Sequence, residues 1–185
     1  MPRTRLRTAL RTVGLLALIP IVALNCSQSG KTSEDRLNPG DKAPLFSLPT
    51  VDGNEEVVAA KVIYDAWATV LIFWSMTCPS CKDALLECQE VYDEFGHTSI
   101  AFFGINYDTE NVQGVWAFLK GEDVTIPHLW DRGQRTTKAY RAFDYTFSVF
   151  VIGREGTIIL AQYDHPPDLV DILSETLAEA LPGGE

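Results

Sequence analysis

Cys78 and Cys81 are separated by two residues in FWSMTCPSC, residues 73–81, at the end of an apolar run. Thiols at that spacing can close a disulfide reversibly, supply half of a metal site, or sit inert in a core. The flanking chain discriminates between these. Residues 70–75 (VLIFWS) form a continuous apolar run of the kind found in a strand covered on both faces. Residues 79–95 carry Leu85, Cys88, Val91, Tyr92 and Phe95 at the spacing of one helical face. The pair therefore falls where a buried strand turns into a helix, with Cys78 at the N-cap and Pro79 at the first helical position, where its missing N–H costs nothing. Unsatisfied N–H groups and the helix dipole favour negative charge there, which marks Cys78 as the nucleophile. Cys81, three residues on and on the same face, is placed to resolve a mixed disulfide.

A zinc site needs more ligands. Cys78, Cys81, Cys88 and His97 form a Cys3His set on paper. Cys88, however, lies seven residues beyond Cys81 in the same helix, about 10 Å along the axis at ~1.5 Å per residue. Zinc bonds of about 2.0 to 2.3 Å do not bridge that gap, and it exceeds the Cα limit of about 7 Å for a disulfide. Cys88 reads as a small core residue. His97 follows the helix in a C-cap turn, His128 sits on a short edge strand and His165 precedes the last helix, so no histidine is assigned as a ligand. No metal and no cofactor are expected.

The elements that position the pair follow from period and punctuation. Segments 46–48 and 56–60 flank the turn VDGN as a small hairpin, and 99–106 (SIAFFGIN) is a second buried strand. Residues 110–120 form a helix with Val112, Val115, Trp116 and Leu119 inward, followed by an extended piece at 125–130 and a helix at 135–143. Strands at 147–152 and 157–162 joined by GREG, then an amphipathic helix at 167–181, close the chain. This order gives an α/β fold with a central mixed sheet, part parallel and part antiparallel, and helices on both faces. The four tryptophans, Trp67, Trp74, Trp116 and Trp130, read as packing residues, and Glu55-Glu56 and Glu122-Asp123 as solvated turns.

The chain of 185 residues allows one domain plus an appendage. Residues 1–25 combine Arg3, Arg5, Arg7 and Arg11 with the 12-residue apolar stretch VGLLALIPIVAL. That stretch is too short for the roughly 20 residues of a membrane span and fits an export signal. Cys26 follows directly, as in a bacterial lipoprotein signal, and is the expected lipidation site. Residues 26–38 read as a flexible tether and 39–182 as the folded domain. Without the leader, 11 basic and 25 acidic residues remain, a formal charge of −14. Such a surface repels nucleic acid, which is excluded as a partner.

The motifs VLIFWSMTCPSCKDALLECQEVYDEF, NPGDKAPLFSLPTVDG, FFGINYDTENVQGVWAFL, IPHLWD and FVIGREGTII resemble the TlpA/ResA branch of exported thioredoxin-fold thiol-disulfide oxidoreductases over roughly residues 38–181. The resemblance implies a thioredoxin-like fold with a small N-terminal hairpin extension. It implies Cys78 as attacking and Cys81 as resolving cysteine, with Trp74 beneath them and Thr77, Pro79, Ser80, Thr146 and Phe147 as neighbours. It further implies protein thiols and disulfides as partners, a membrane redox donor, and a lipid-anchored domain on the periplasmic or cell-envelope side.

Three positions depart from that pattern. Phe147 stands where relatives carry a cis-proline facing the cysteines; a non-proline cis bond costs about 2.5 to 4 kcal/mol, so the Thr146–Phe147 bond is expected trans. That alters the backbone on which a substrate peptide would pair, and so bears on catalytic efficiency. Ile72 replaces an acidic or amide residue beneath the pair and cannot assist proton transfer. Leu86 replaces a proline, which predicts a straighter helix. The function expected is reduction of protein disulfides through the CPSC dithiol; the alternative is a binding, adaptor or metal-handling module on the same fold with little turnover.

Overall fold

A computed structural model describes residues 36–144 and 147–182. The expected leader, Cys26, most of the tether, Thr146 and hence the Thr146–Phe147 bond lie outside the described residues. The elements are β1(Ser47–Pro49), β2(Glu56–Val58), α1(Ala59–Asp65), β3(Ala68–Trp74), α2(Pro79–Phe95), β4(Ile100–Asn106), α3(Val112–Gly121), β5(His128–Trp130), α4(Arg135–Ala139), a 3-10 turn over Ala142–Asp144, β6(Ser148–Gly153), β7(Ile158–Tyr163) and α5(Leu169–Ala180).

β1 and β2 pair as an antiparallel hairpin, and the other five strands form one sheet in the order β5-β4-β3-β6-β7. β3, β4 and β5 run parallel, β6 is antiparallel to β3, and β7 to β6. Two successive crossovers that step the same way across a sheet put their helices on one face when both are right-handed. Accordingly, α2 and α3 share a core. Leu85 and Cys88 of α2, Val115 and Leu119 of α3 and Leu173 of α5 pack with Val70, Ile72 and Trp74 of β3. The opposite face of β3, through Leu71 and Phe73, meets α1 at Ala59 and Ile63 together with Tyr140, Phe150 and Tyr163. Gly156, at φ 72°, takes the left-handed position that closes the β6–β7 turn, a conformation glycine adopts without strain.

The expected mixed sheet, covering helices and hairpin are present, and α2, 17 residues long, runs unbroken through Leu86. Three details differ from the sequence reading. α1 has only Ala59 and Ile63 buried and no side-chain N-cap, so it leaves almost no periodic signal. The helix expected over 135–143 stops at Ala139, because Arg141 turns left-handed at φ 59° before the 3-10 turn. Trp116 lies at the edge of the α3 stripe and is 41% exposed, with Lys120 Nζ 4.7 Å over its ring. Trp67 is likewise 39% exposed under Arg154, and the half-buried Trp130 lies under Arg132, so these tryptophans also carry cation–π contacts.

Phe150 anchors the second core. Its ring meets Phe73, Tyr140 and Tyr163 edge-on at centroid distances of 5.7, 5.1 and 5.4 Å. Phe150→Ala is expected to cost about 3 to 5 kcal/mol of stability. Urea unfolding should show a lower midpoint with an unchanged slope.

Candidate active site

β3 and β4 end level, with Trp74 paired to Asn106. Two loops therefore leave the carboxyl edge of the sheet side by side: 75–78, which carries Cys78, and 107–111. The carboxyl ends of parallel strands are where ligands bind in open α/β sheets.

Cys78 caps α2 in extended conformation (φ −110°, ψ 106°), with Pro79 at the first helical position. Its Sγ accepts the Cys81 N–H at 3.1 Å and lies 3.4 Å from Ser80 Oγ. Cys78 and Cys81 are joined in a disulfide, with a Cα–Cα distance of 5.3 Å. The two sulfurs differ in surroundings. Cys78 is partly exposed, whereas Cys81 is fully buried among Ile72, Trp74, Leu85 and Phe147. Apolar surroundings disfavour a thiolate at Cys81, so Cys78 is the sulfur at which negative charge and an incoming reactant are tolerated.

A cavity of about 620 Å³ opens against Cys78, walled by Thr77, Pro79 and Ser80 on one side and by Tyr107, Asp108, Gln134 and Phe143 on the other. A cavity of similar volume, about 640 Å³, along β2, α1 and the start of β4 contains no cysteine. Thr77, Pro79 and Ser80 line this cavity with Cys78. Trp74 is at the site but wholly buried. Phe147 is wholly buried in the cluster with Cys81 and does not line the cavity; its carbonyl accepts the Asp164 N–H at 2.9 Å. Phe147 thus neighbours the pair from beneath, through the core rather than through the cavity. Its ring fills the apolar interior and lies 6.1 Å from the His165 ring, whose Nε2 is 2.9 Å from Glu87 on α2.

Sequence reasoning missed Asp108. Its carboxylate accepts from Ser75 Oγ (2.5 Å), the Met76 N–H (2.8 Å) and Asn106 Nδ2 (2.9 Å), while its own carbonyl accepts from Trp130 Nε1 (2.7 Å). It therefore ties the loop preceding Cys78 to the loop after β4. The available signal was the polar run NYD directly after a buried strand that had to lie parallel to β3.

His128, on edge strand β5, is buried and packs edge-on against Trp74 at 5.5 Å. A Cβ at residue 104 would strike its Nε2, so only glycine fits opposite it. Nδ1 donates to the Ile126 carbonyl at 2.6 Å, and Nε2 has no partner among the described residues. Burial pushes the imidazole down to about 4. No group of residues able to hold a metal ion occurs among the described residues.

Residues 39–161 match the AhpC/TSA family. The chain belongs to that family. AhpC/TSA proteins are thioredoxin-fold redox enzymes, and this chain is one of them. It is 24% identical over 153 residues to the thiol-disulfide oxidoreductase ResA of Bacillus thuringiensis subsp. konkukian, covering 83% of this chain and 86% of ResA. It is 27% identical over 145 residues to a Mycobacterium tuberculosis protein whose name places it among the peroxiredoxins, covering 72% of this chain and 89% of that one. The crystal structure of StoA from Bacillus subtilis superposes with a TM-score of 0.61 at 24% identity, over 75% of this chain and 99% of StoA, which supports the fold. The likeness to the TlpA/ResA branch read from the motifs is thus matched by ResA itself among the relatives.

Two outcomes follow from the burial of His128 and Cys88. The folded state resists protonating His128, whose pKa lies below the ordinary 6.5. Its contribution to stability is therefore complete above pH 6.5 and is lost as pH falls toward 4, by up to ~3 kcal/mol. Urea midpoints measured across that window should fall, and His128→Gln should flatten the slope. Burial also raises the Cys88 thiol far above its ordinary value, so iodoacetamide should leave Cys88 unmodified until the protein is unfolded.

Proposed function

We propose that the protein reduces protein disulfides through the Cys78–Cys81 dithiol. The observation that carries this reading is the asymmetry of the pair. One sulfur sits at a helix N-terminus on a cavity wall, and the other is sealed in the core beneath it. In the cycle, the Cys78 thiolate attacks one sulfur of the substrate disulfide, and the other substrate sulfur leaves as a thiolate that takes up a proton. The Cys81 thiol, losing its proton, then attacks Cys78 Sγ and releases the second substrate thiol. Two electrons pass to the substrate, the pair becomes a disulfide, and a dithiol donor at the membrane restores it. Thr77, Pro79 and Ser80 shape the entrance to Cys78.

The sequence supports a setting for this reaction. Residues 1–25 act as an export signal, Cys26 carries the lipid, residues 26–38 form the tether, and 39–182 form the catalytic domain outside the cytoplasm. Among the described residues no helix is long and apolar enough to cross a membrane.

A peroxide is the other acceptor such a pair could serve, as the name of one relative suggests. The Cys78 cavity argues against it. Among the described residues its wall carries no Arg, Lys or His to stabilise a departing hydroxide, and the carboxylate of Asp108 disfavours that charge.

The test is a thiol-labelling gel shift across dithiothreitol redox buffers, coupled to reduction of insulin disulfides, with hydrogen peroxide as the competing acceptor. The pair should interconvert, insulin should be reduced and peroxide consumed poorly. Cys78→Ser should abolish turnover, and Cys81→Ser should accumulate a mixed disulfide on Cys78. A pair that never interconverts would make the chain a binding module instead.

A further inference from the structure

The hydrogen bonds around Asp108 have only one consistent set of directions. Its carboxylate receives the hydroxyl of Ser75, the N–H of Met76 and the amide of Asn106. A hydroxyl carries one proton, and that of Ser75 is used on Asp108. Ser75 Oγ is then an acceptor toward Thr77, taking its N–H at 3.1 Å and its hydroxyl proton at 2.8 Å. With its own proton turned to Ser75, Thr77 Oγ1 can only accept on the cavity side that it lines next to Cys78. The chain Thr77 to Ser75 to Asp108 thus sets an acceptor and a negative charge on the wall of the cavity that Cys78 also lines.

Among the described residues, no cation on the cavity wall offsets that charge. Lys82 of α2 is drawn to the Phe118 ring, 5.3 Å from its centroid, and Lys138 of α4 to Phe143, at 5.6 Å. Asp83 of α2 is exposed and acidic. Burial and then the Asp108 charge raise the Tyr107 phenol, which stays neutral. His165 is engaged with Glu87.

We propose that Asp108, a positioning residue acting through Ser75 and Thr77, holds the Cys78–Cys81 pair at a reducing poise and so directs electrons from the pair to substrate disulfides. This rests on the oxidoreductase reading above and adds its direction. An anion and an acceptor beside Cys78 disfavour its thiolate, while the disulfide carries no charge to be disfavoured. The oxidised form therefore gains relative to the reduced one, and the potential falls. The helix N-terminus and the Cys81 N–H act in the opposite sense, which makes the balance sensitive to Asp108.

The experiment uses the full-length chain in detergent and compares Asp108→Asn, Ser75→Ala and Asp108→Glu with the unmodified protein. Asp108→Asn should shift the equilibrium with dithiothreitol about tenfold toward the dithiol, or ~30 mV for this two-electron couple. In a Cys81→Ser background it should move the pH profile of Cys78 alkylation to lower pH. Ser75→Ala, which keeps the charge but frees the Thr77 hydroxyl, should shift both readouts the same way by less, and Asp108→Glu should restore them. If Asp108→Asn does not fold, Ser75→Ala decides. Folded variants that match the unmodified protein in both readouts, or shift the opposite way, overturn the proposal. An unmodified pair that never interconverts overturns the oxidoreductase reading instead, so the two failures are distinct.

Discussion

Everything in this fold leans on β3. All seven of its residues are buried, and the strand is hydrogen-bonded to β4 on one side and β6 on the other. Its side chains alternate between the two cores, so Val70, Ile72 and Trp74 serve one and Leu71 and Phe73 the other. A strand with no exposed face can only be central, and a central strand has no freedom to slip: a one-residue shift would exchange its two faces. That constraint fixes where β3 ends. The pairing of Trp74 with Asn106 in turn fixes which loop lies beside the cysteines.

The site inherits its asymmetry from this arrangement. Because α2 must return across β3, its first turn sets one cysteine at the end of the helix and the other against the sheet. Cys81 shares the apolar cluster of Ile72, Trp74 and Phe147, while Cys78 keeps the helix N–H groups on one side and the cavity on the other. The difference in exposure between two residues three apart needs no special residue. It follows from one turn of helix packed on a buried strand.

The sequence made the central part of this legible and the periphery less so. The run VLIFWS and the stripe Leu85, Cys88, Val91, Phe95 are strong periodic signals, and they gave the mixed sheet with its covering helices and the buried place of Cys88. α1 was invisible because two buried residues do not make a period. The helix after Arg135 was drawn too long because a left-handed residue at Arg141 has no marker such as glycine. Asp108 escaped for a different reason: its importance lies in bonds to Ser75 and Met76, more than 30 positions away, which exist only once β3 and β4 lie parallel. Phe147 was read as a neighbour of the pair, but which way its ring turns was not legible from its place in the chain; the ring lies in the core.

The departures at residues 72 and 147 therefore have one physical sense. Ile72, Trp74 and Phe147 make the space beneath the cysteines hydrocarbon, and a carboxylate there would be buried among them without partners. The polar chemistry lies beside the pair instead, on the loop after β4, where Asp108 is held by three donors and borders a cavity open to solvent. In the proposed cycle a group beside Cys78 acts on the sulfur that meets the substrate; one beneath the pair would act on the sulfur that resolves it. The reachable sulfur thus borders the polar groups of the cavity, while Cys81 lies in the apolar interior, as the proposed cycle requires of a resolving cysteine.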